Sequence, residues 1–159
     1  MMKNLTIRLV SALVLTIFAL APAAAETFKL TYTFSFGNVL EADIEGELQA
    51  DGDTVVVTAV KNARLDDNPG APLKFITSLA DLVDNTNTNK PVLTLSGKNN
   101  DISMCSTKSC TGEFVTFDGV KQFLGRPGIY TSVSYGHTMS GGRNADEVYE
   151  EGRYRLVRE

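Results

Sequence analysis

Two adjacent segments near the start of the chain alternate strictly between apolar and polar residues. In the first segment the apolar row is Phe28, Leu30, Tyr32, Phe34 and Phe36. In the second the apolar row is Leu40, Ala42, Ile44, Gly46 and Leu48, and the polar row is Glu41, Asp43, Glu45, Glu47 and Gln49. A period of two is typical of a strand with one buried face and one wet face. The pattern therefore predicts two strands of an antiparallel sheet.

The two apolar rows also constrain the loop that joins these strands. Facing residues of a hairpin point to the same side of the sheet, so a two-residue turn at Gly37-Asn38 would set the phenylalanines against the glutamates. A three-residue loop over 37–39 instead pairs Phe36 with Leu40, and both apolar rows then agree. We therefore expect a loop of odd length, with Gly37 or Asn38 at a positive φ.

The next segment predicts a third strand inside the sheet. Asp51-Gly52 is a strong signal for a hairpin turn, and it would place Leu48 opposite Val55. The run from Thr54 to about Leu65 is β-branched and apolar on both faces near its start. Such a strand is typical of a position that is covered on both sides.

The rest of the chain alternates short strand signals with turns. Residues 66–72 indicate a loop, Leu73–Val83 a short strand or coil followed by about two helical turns, and 84–91 an exposed polar loop. Further strands are expected at 92–95, 102–105, 112–117, 128–135 and 147–157, with a mobile turn at 140–144. About eight strands and at most one short helix near 76–83 predict an all-β fold, an antiparallel β-sandwich or a partly open barrel.

The first 25 residues have the three-part pattern of a secretory signal peptide. Lys3 and Arg8 are followed by an apolar run over 9–21 and then by Ala23-Ala24-Ala25. We expect cleavage after Ala25, export, and a single mature domain over 26–159. The apolar run is shorter than the roughly 20 residues that a bilayer requires, so we expect no stable membrane insertion after cleavage. An uncleaved N-terminal anchor is the alternative.

Export changes how the charges and the cysteines are interpreted. The mature part carries thirteen basic and nineteen acidic residues, a net charge of −6, which disfavours nucleic acid as a partner. Both cysteines, Cys105 and Cys110, would lie in an oxidising compartment, the periplasm or the exterior, where a disulfide closing the loop 106–109 can persist. The alternatives are unpaired or metal-bound cysteines and a redox pair, although the spacing is not Cys-x-x-Cys.

Four carboxylates form the main candidate for chemistry. Glu41, Asp43, Glu45 and Glu47 share one strand face at intervals of roughly 7 Å. Paired carboxylates can cleave glycosides or hold calcium. A solvated outer face accounts for the same acidic strip, and its expected neighbours are Lys29, Thr31, Thr33 and Thr58.

The other candidates have simpler explanations. His137 is the only histidine, so a two-histidine metal site is excluded, and it is expected to be an ordinary loop residue. Asp51-Gly52-Asp53 and Asp66-Asp67-Asn68 could supply calcium ligands, but turn chemistry explains both. Charge pairing or solvation explains Arg126, Arg153, Arg155 and Arg158, and a place at the edge of the core explains Tyr130, Tyr135, Tyr149 and Tyr154. We expect no metal and no cofactor.

Several stretches resemble a group of short exported cyanobacterial proteins of the PEP-CTERM-associated type. They are Ala50 to Thr58, Asn68-Pro69-Gly70, Leu73 to Leu82 and the Cys105/Cys110 pair. The resemblance implies export and a β-rich fold, and the group has no assigned activity. Many members carry a C-terminal sorting tail with Pro-Glu-Pro, whereas this sequence ends at Arg158-Glu159 after a predicted strand, so release in soluble form is expected.

These observations favour a non-enzymatic exported domain that binds a ligand or contributes to the envelope or the extracellular matrix. One alternative is a hydrolase of glycans or esters that uses carboxylates of the acidic strip. Another is a small lipid-carrying barrel built on the aromatic row Phe28, Tyr32, Phe34 and Phe36. Since small barrels are packed by their own side chains, a filled core accounts for that row more simply.

Overall fold

The computed structural model describes residues 25–121, 125–132, 135 and 145–159. These residues form an antiparallel sheet that curls into a half-barrel, so the all-β prediction is confirmed. The elements are β1 Glu26–Thr33, β2 Val39–Leu48, β3 Thr54–Leu65, β4 Asn68–Pro69, β5 Phe75–Thr77, α1 Leu79–Asp84, β6 Val92–Thr94, β7 Asp101–Cys105, β8 Phe114–Asp118, β9 Gly128–Thr131, β10 Ala145–Val148, a 3-10 turn Glu151–Arg153, and β11 Tyr154–Arg158. Among the described residues there are therefore eleven strands rather than about eight.

The order of the strands requires the sheet to curl. Nine strands follow one another in the order β10-β9-β8-β7-β6-β3-β2-β1-β11, while β4 pairs with β3 and β5 with β7. Laid flat, nine strands would be about 38 Å across. Yet β10 and β11, at opposite ends of this order, are joined by residues 149–153 alone, which reach about 20 Å at most. The two ends of the sheet must therefore approach each other.

The concave side of the sheet holds the hydrophobic core. Alternate residues of β1 and β2 are buried there, including Phe28, Leu30, Ala42 and Ile44. The other strands add Val55, Val57, Leu93, Ile102, Met104, Val115, Phe117, Ile129, Tyr154 and Leu156. The alternation in the sequence thus identifies the buried face of the first two strands correctly.

The β1–β2 hairpin has an odd loop, as expected, but a different register. Tyr32 lies opposite Leu40, so the loop comprises the five residues 34–38 rather than 37–39. Gly37 has a φ of +91°, in the left-handed region that the prediction assigned to it. The predicted pairing of Phe36 with Leu40 is wrong, and the Phe36 side chain is 74% exposed at the tip of the loop. Alternation fixes only whether the loop is odd or even, and both lengths satisfy it.

The third strand agrees with its prediction and adds two bulges. Its bounds, its position between β2 and β6, and the pairing of Leu48 with Val55 are confirmed. The register then shifts twice, because β3 contains one extra residue near Thr58 and another near Asn62. Asn62 has a φ of +51°, as a bulge residue can. Bulges increase the local twist, which bends this half of β3.

The segment after β3 is more ordered than a plain loop. Asp66 and Asp67, both at positive φ, form a tight turn that brings the short strand β4 back onto Arg64 and Leu65. The prediction of a loop over all of 66–72 is therefore wrong for β4. The expected short strand and helix follow as β5 and α1, and Ser78 caps α1 by accepting a hydrogen bond from the Asp81 N–H at 3.0 Å.

The exposed loop after α1 is organised by a buried carboxylate. Asp81 is 2% exposed and accepts hydrogen bonds from Thr86, Thr88 and Asn89. The Thr86 hydroxyl contributes most to holding the pKa of Asp81 far below its usual range, against the opposing effect of burial. The loop is thus exposed, as expected, but its backbone is fixed from beneath.

The C-terminal region departs furthest from its prediction. The strand predicted over 147–157 is two strands, because the chain turns at Glu151–Arg153 and crosses to the other end of the sheet. Strand β8 begins two residues later than the predicted start at Gly112, and β9 ends at Thr131. His137, the predicted turn at 140–144 and the signal peptide up to residue 24 lie outside the described residues.

Within the described ranges, no helix has the length and apolar character needed to cross a membrane.

Candidate functional site: a cleft beside strand β3

The bulged half of β3 borders a gap in the wall of the half-barrel. On the side away from β2, where β3 pairs with β6, the last hydrogen bond is from the Val57 N–H to the carbonyl of Pro91, the residue before β6, at 3.0 Å. The next contact is the Ala63 carbonyl, which accepts from the Gly70 N–H at 3.3 Å. Between them, residues 58–62 pair on this side with no strand among those described. Among the described residues, this stretch of β3 is therefore an edge without a partner strand.

A cleft of about 650 Å³ opens along this edge. It is bounded by consecutive residues of β3 on one side and by the segment after β4 on the other. We call it the β3 cleft and define it by Val60, Lys61, Asn62, Ala63, Arg64, Asp67, Pro69, Gly70, Pro72, Leu73 and Tyr135. Both inward-facing and outward-facing side chains of β3 line it, since it follows the edge of the strand.

The floor of the β3 cleft is apolar and rigidly positioned. Leu73 and Tyr135 are both buried, and the Tyr135 hydroxyl donates a hydrogen bond to the Ala71 carbonyl. Burial, together with the negative charge of Glu113, raises the pKa of Tyr135 to about 12, so the hydroxyl stays protonated at neutral pH. A Cβ on Gly70 would lie 2.3 Å from the Tyr135 ring, and only glycine fits there.

The mouth of the β3 cleft carries charge. The Lys61 ammonium lies 2.5 Å from a Glu45 carboxylate oxygen, and its side chain is 59% exposed. Arg64 is bound at 2.6 Å by Glu41, and its Nε lies 3.7 Å from Asp67. Among the lining residues there are thus two cations and one carboxylate.

The acidic strip lies on the outer face of β2, as the alternation predicts, and three of its members have cationic partners. Glu41 pairs with Arg64, Glu45 with Lys61, and Asp43 with Lys29 at 2.9 Å. Hydrogen bonds from Asn62 and then from Lys29 lower the pKa of Asp43 below its usual value. Cations of the two flanking strands, β1 and β3, therefore neutralise much of the strip.

The fourth member of the acidic strip and the threonines expected beside it can also be located in the sheet. Glu47 has no ion-pair partner among the described residues. Thr31 lies opposite Glu41, and the Thr58 hydroxyl donates to the Glu45 carbonyl. Thr33 lies opposite Val39, beyond the strip, because the register differs from the predicted one.

The predicted disulfide is present. The Cys105 and Cys110 sulfur atoms are bonded, and their Cα atoms are 5.1 Å apart. Cys105 ends β7 and is buried, while the loop 106–109 that the bond closes is mostly exposed. The bond therefore anchors a surface turn to a strand of the core, opposite Phe75 of β5.

The candidate calcium ligands accept hydrogen bonds from the protein itself, within a turn for Asp51 and from a distant segment for Asp53 and Asp66. Asp51 accepts from the backbone N–H groups of Asp53 and Thr54, and Asp53 accepts from the N–H and hydroxyl of Ser96. Asp66 accepts from the Val39 N–H at 2.7 Å. In the part of the chain that the structure describes, no three histidine, cysteine or acidic side chains come together as metal ligands would.

Glu147, which no sequence pattern singles out, joins distant parts of the chain. Its carboxylate accepts from the Tyr32 hydroxyl at 3.1 Å, from the N–H and hydroxyl of Ser35, and from Arg153 at 3.1 Å. Arg153 also pairs with Glu150 at 3.2 Å. The prediction that the C-terminal arginines pair or are solvated does not identify this role, since Tyr32 is 115 positions away.

The β3 cleft was missed as well, although the sequence contains a faint signal for it. Apolar residues of β3 that contact the core lie at 55, 57, 60, 63 and 65. Steps of three residues interrupt the period of two at 57–60 and 60–63, where the bulges occur. Tyr135 was assigned to the edge of the core together with Tyr130, Tyr149 and Tyr154, and it is the one of the four that lines this cleft.

No protein-family model, curated protein or solved structure matches this chain. The resemblance to exported PEP-CTERM-associated proteins therefore stays a prediction.

Proposed function

We propose that this protein is an exported, non-enzymatic binding protein that holds a small organic molecule in the β3 cleft. The observation that carries the proposal is the cleft itself. Its volume of about 650 Å³ falls within the range of roughly 300–1,000 Å³ that is common for small-molecule sites. Seven of its eleven lining residues are apolar or present an aromatic ring, and four are polar or charged. Binding sites combine an apolar lining with a few polar groups in this way.

The carboxylates of the acidic strip are poorly placed for the alternative, a hydrolase. Glycoside hydrolysis requires one carboxyl group that is protonated at working pH and another that is ionised. Hydrogen bonds from Asn62 and Lys29 hold the pKa of Asp43 below its usual value and favour its ionised form, and Glu41 and Glu45 are bound by Arg64 and Lys61. The strip also lies on an exposed sheet face, whereas the cleft opens between β3 and the chain after β4.

The aromatic row does not supply the lumen that a lipid-carrying barrel would need. Phe28, Tyr32 and Phe34 are buried against one another and against the rest of the core. Phe36, the fourth member, is exposed. A ligand therefore has more room in the β3 cleft than along this row.

Export is part of the proposal. The Cys105–Cys110 disulfide supports it, because such bonds persist in oxidising compartments. The signal-peptide pattern over 1–25 supports it independently. We expect the mature protein to begin at Glu26 and to be two hydrogens lighter than its reduced mass.

Native and denaturing mass spectrometry of the protein purified from its natural exported fraction tests the proposal. We expect an additional mass in the native spectrum alone, and we expect Ala63→Leu, which fills the cleft, to lose it. The matched control is Ala59→Leu, on the same strand but outside the cleft, which should retain the additional mass. A wild-type protein without additional mass would contradict the binding function, and retention by Ala63→Leu would contradict the site.

A further inference from the structure

We infer that the ligand of the β3 cleft is a free amphiphile with an aliphatic body and a carboxylate head, and that Lys61 binds the head. This inference rests on the proposed binding function. It rests on three observations. They are the separation of apolar and charged residues in the lining, the weaker hold on Lys61 than on Arg64, and the edge of β3 beside Lys61.

The lining separates into an apolar inner part and a charged mouth. Leu73 and Tyr135 are 3% and 0% exposed, and Val60 and Ala63 pack against the same core. The charged residues Lys61 and Asp67 are exposed and Arg64 is half-buried, and the exposed Pro69 and Pro72 share this outer part of the lining with them. A ligand that fills the cleft therefore buries one end among apolar groups and presents the other end to charged ones.

The two cations at the mouth differ in how firmly they are held. Arg64 contacts two carboxylates, Glu41 and Asp67, and its side chain is 34% exposed. Lys61 contacts Glu45 alone and is 59% exposed. An exposed lysine–carboxylate pair contributes about 0–1 kcal/mol, so Lys61 can exchange Glu45 for a ligand carboxylate at little cost.

The unpaired edge of β3 adds neutral hydrogen-bonding groups beside Lys61. Residues 58–62 pair with no described strand on the side away from β2. Peptide N–H groups of this edge, which alternate with carbonyl groups, can donate to the second oxygen of a bound carboxylate. A carboxylate head therefore meets an exchangeable cation and backbone donors. An ammonium head at the same place would face the Lys61 ammonium with like charge, and the nearby carboxylates Glu45, Glu41 and Asp67 are each already in contact with Lys61 or Arg64.

Isothermal titration calorimetry with three ligands of equal chain length tests the inference: decanoate, decan-1-ol and decylammonium. We expect decanoate to bind about tenfold more tightly than the other two, with the difference reduced at high salt. Lys61→Ala should weaken decanoate binding by about fivefold and leave decan-1-ol binding unchanged. Circular dichroism and the melting temperature of each variant check that it is folded.

Two further variants separate a binding role of Lys61 from a structural one. Lys29→Ala is the matched control, because Lys29 forms a similar ion pair with Asp43 but does not line the cleft, and it should bind decanoate as the wild type does. Glu45→Gln removes the competitor for Lys61 and should tighten decanoate binding by a few-fold. A purely structural role of the Lys61–Glu45 pair would not increase affinity when the pair is broken.

The outcomes distinguish the inference from the function on which it rests. If none of the three ligands binds while the native spectrum still shows an additional mass that Ala63→Leu loses, the inference is overturned and the binding function stands. If that additional mass is absent as well, both fail. If decan-1-ol or decylammonium binds as tightly as decanoate, or if Lys61→Ala has no effect on decanoate, the inference is overturned and a small-molecule site of different chemistry remains.

Discussion

Two regions of this sheet pair carboxylates with cations, and they do so in different surroundings. On the outer face of β1, β2 and β3, exposed or half-exposed pairs such as Lys29–Asp43 and Lys61–Glu45 join adjacent strands. At the two ends of the sheet, Glu147 binds Tyr32, Ser35 and Arg153, and its side chain is 10% exposed. The first region links strands that already pair, and the second links ends that do not.

Because their surroundings differ, the two regions should contribute differently to the free energy of unfolding. Exposed ion pairs exchange water for a partner in a high dielectric, and the net gain is small. A carboxylate that is largely removed from water and accepts several hydrogen bonds leaves costly unpaired groups behind when it is deleted. The number of ion pairs on the outer face is therefore a poor measure of what keeps the sheet curled.

The largest effect is expected from truncating Glu147. Glu147→Ala should lower the free energy of unfolding by about 2–3 kcal/mol, because it leaves the Tyr32 hydroxyl and the Ser35 N–H without their acceptor and removes one of the two partners of Arg153. Urea denaturation followed by circular dichroism measures it. Glu150→Ala is the control: it also removes a partner of Arg153, but the Glu150 side chain is 55% exposed, so about 0.5 kcal/mol or less is expected.

Equal losses in the two variants would contradict the comparison. They would mean that Arg153 alone matters, and that the contacts of Glu147 with β1 and with the β1–β2 loop contribute nothing. Hydrogen exchange gives a second measure, since Glu147→Ala should increase exchange at Ser35 and in the adjacent residues of β1.

A smaller effect is expected from protonating Glu147, since a neutral acid keeps part of the hydrogen bonding. Burial by itself raises the pKa of Glu147, but hydrogen bonds from Ser35, Tyr32 and Arg153 outweigh it and hold the pKa below its usual value of 4.5. A lowered native pKa means that the stabilisation is present above pH 4.5 and is lost as the pH falls through the native pKa.

Comparison of the wild type with Glu147→Gln isolates this contribution. Asp43, Asp51, Asp66 and Asp81 also have lowered pKa values and contribute in the same direction, so the wild type alone is not informative. We expect the stability of Glu147→Gln to fall less steeply than that of the wild type between pH 5 and the acid transition. Parallel curves would show that Glu147 does not titrate differently in the folded and unfolded states.

The same two regions differ in how far the sequence predicts them. The outer face of β1 and β2 follows from alternation, because one face of each strand is wet and the other is buried. The register of their loop does not follow, since loops of three and five residues satisfy the alternation equally. The contact that accompanies the longer loop, Ser35 with Glu147, joins residues 112 positions apart and has no local signal.

The break at Glu151–Arg153 also depends on the whole fold. Read locally, residues 147–157 favour one strand, because apolar and aromatic residues recur among charged ones. The curled sheet instead needs a short link between its ends, and Glu150-Glu151-Gly152 supplies it. The β3 cleft can be predicted from the sequence only in part. Steps of three residues in the apolar row of β3 indicate the bulges, but only the fold brings Leu73 and Tyr135 to the cleft beside them.

The smallest effect is expected on the outer face, from a double-mutant cycle on Lys29 and Asp43. Lys29→Met and Asp43→Asn, alone and together, should give a coupling energy of about 0.5 kcal/mol or less, and high salt should reduce it further. Asn62 also donates to Asp43, so the single Asp43→Asn variant should cost more than the coupling itself. A parallel cycle on Glu147 and Arg153 should give a larger coupling that is less sensitive to salt, because that pair is screened less by solvent. Equal coupling energies would mean that burial does not separate the two regions, and that the exposed pairs contribute as much to the curled sheet as Glu147 does.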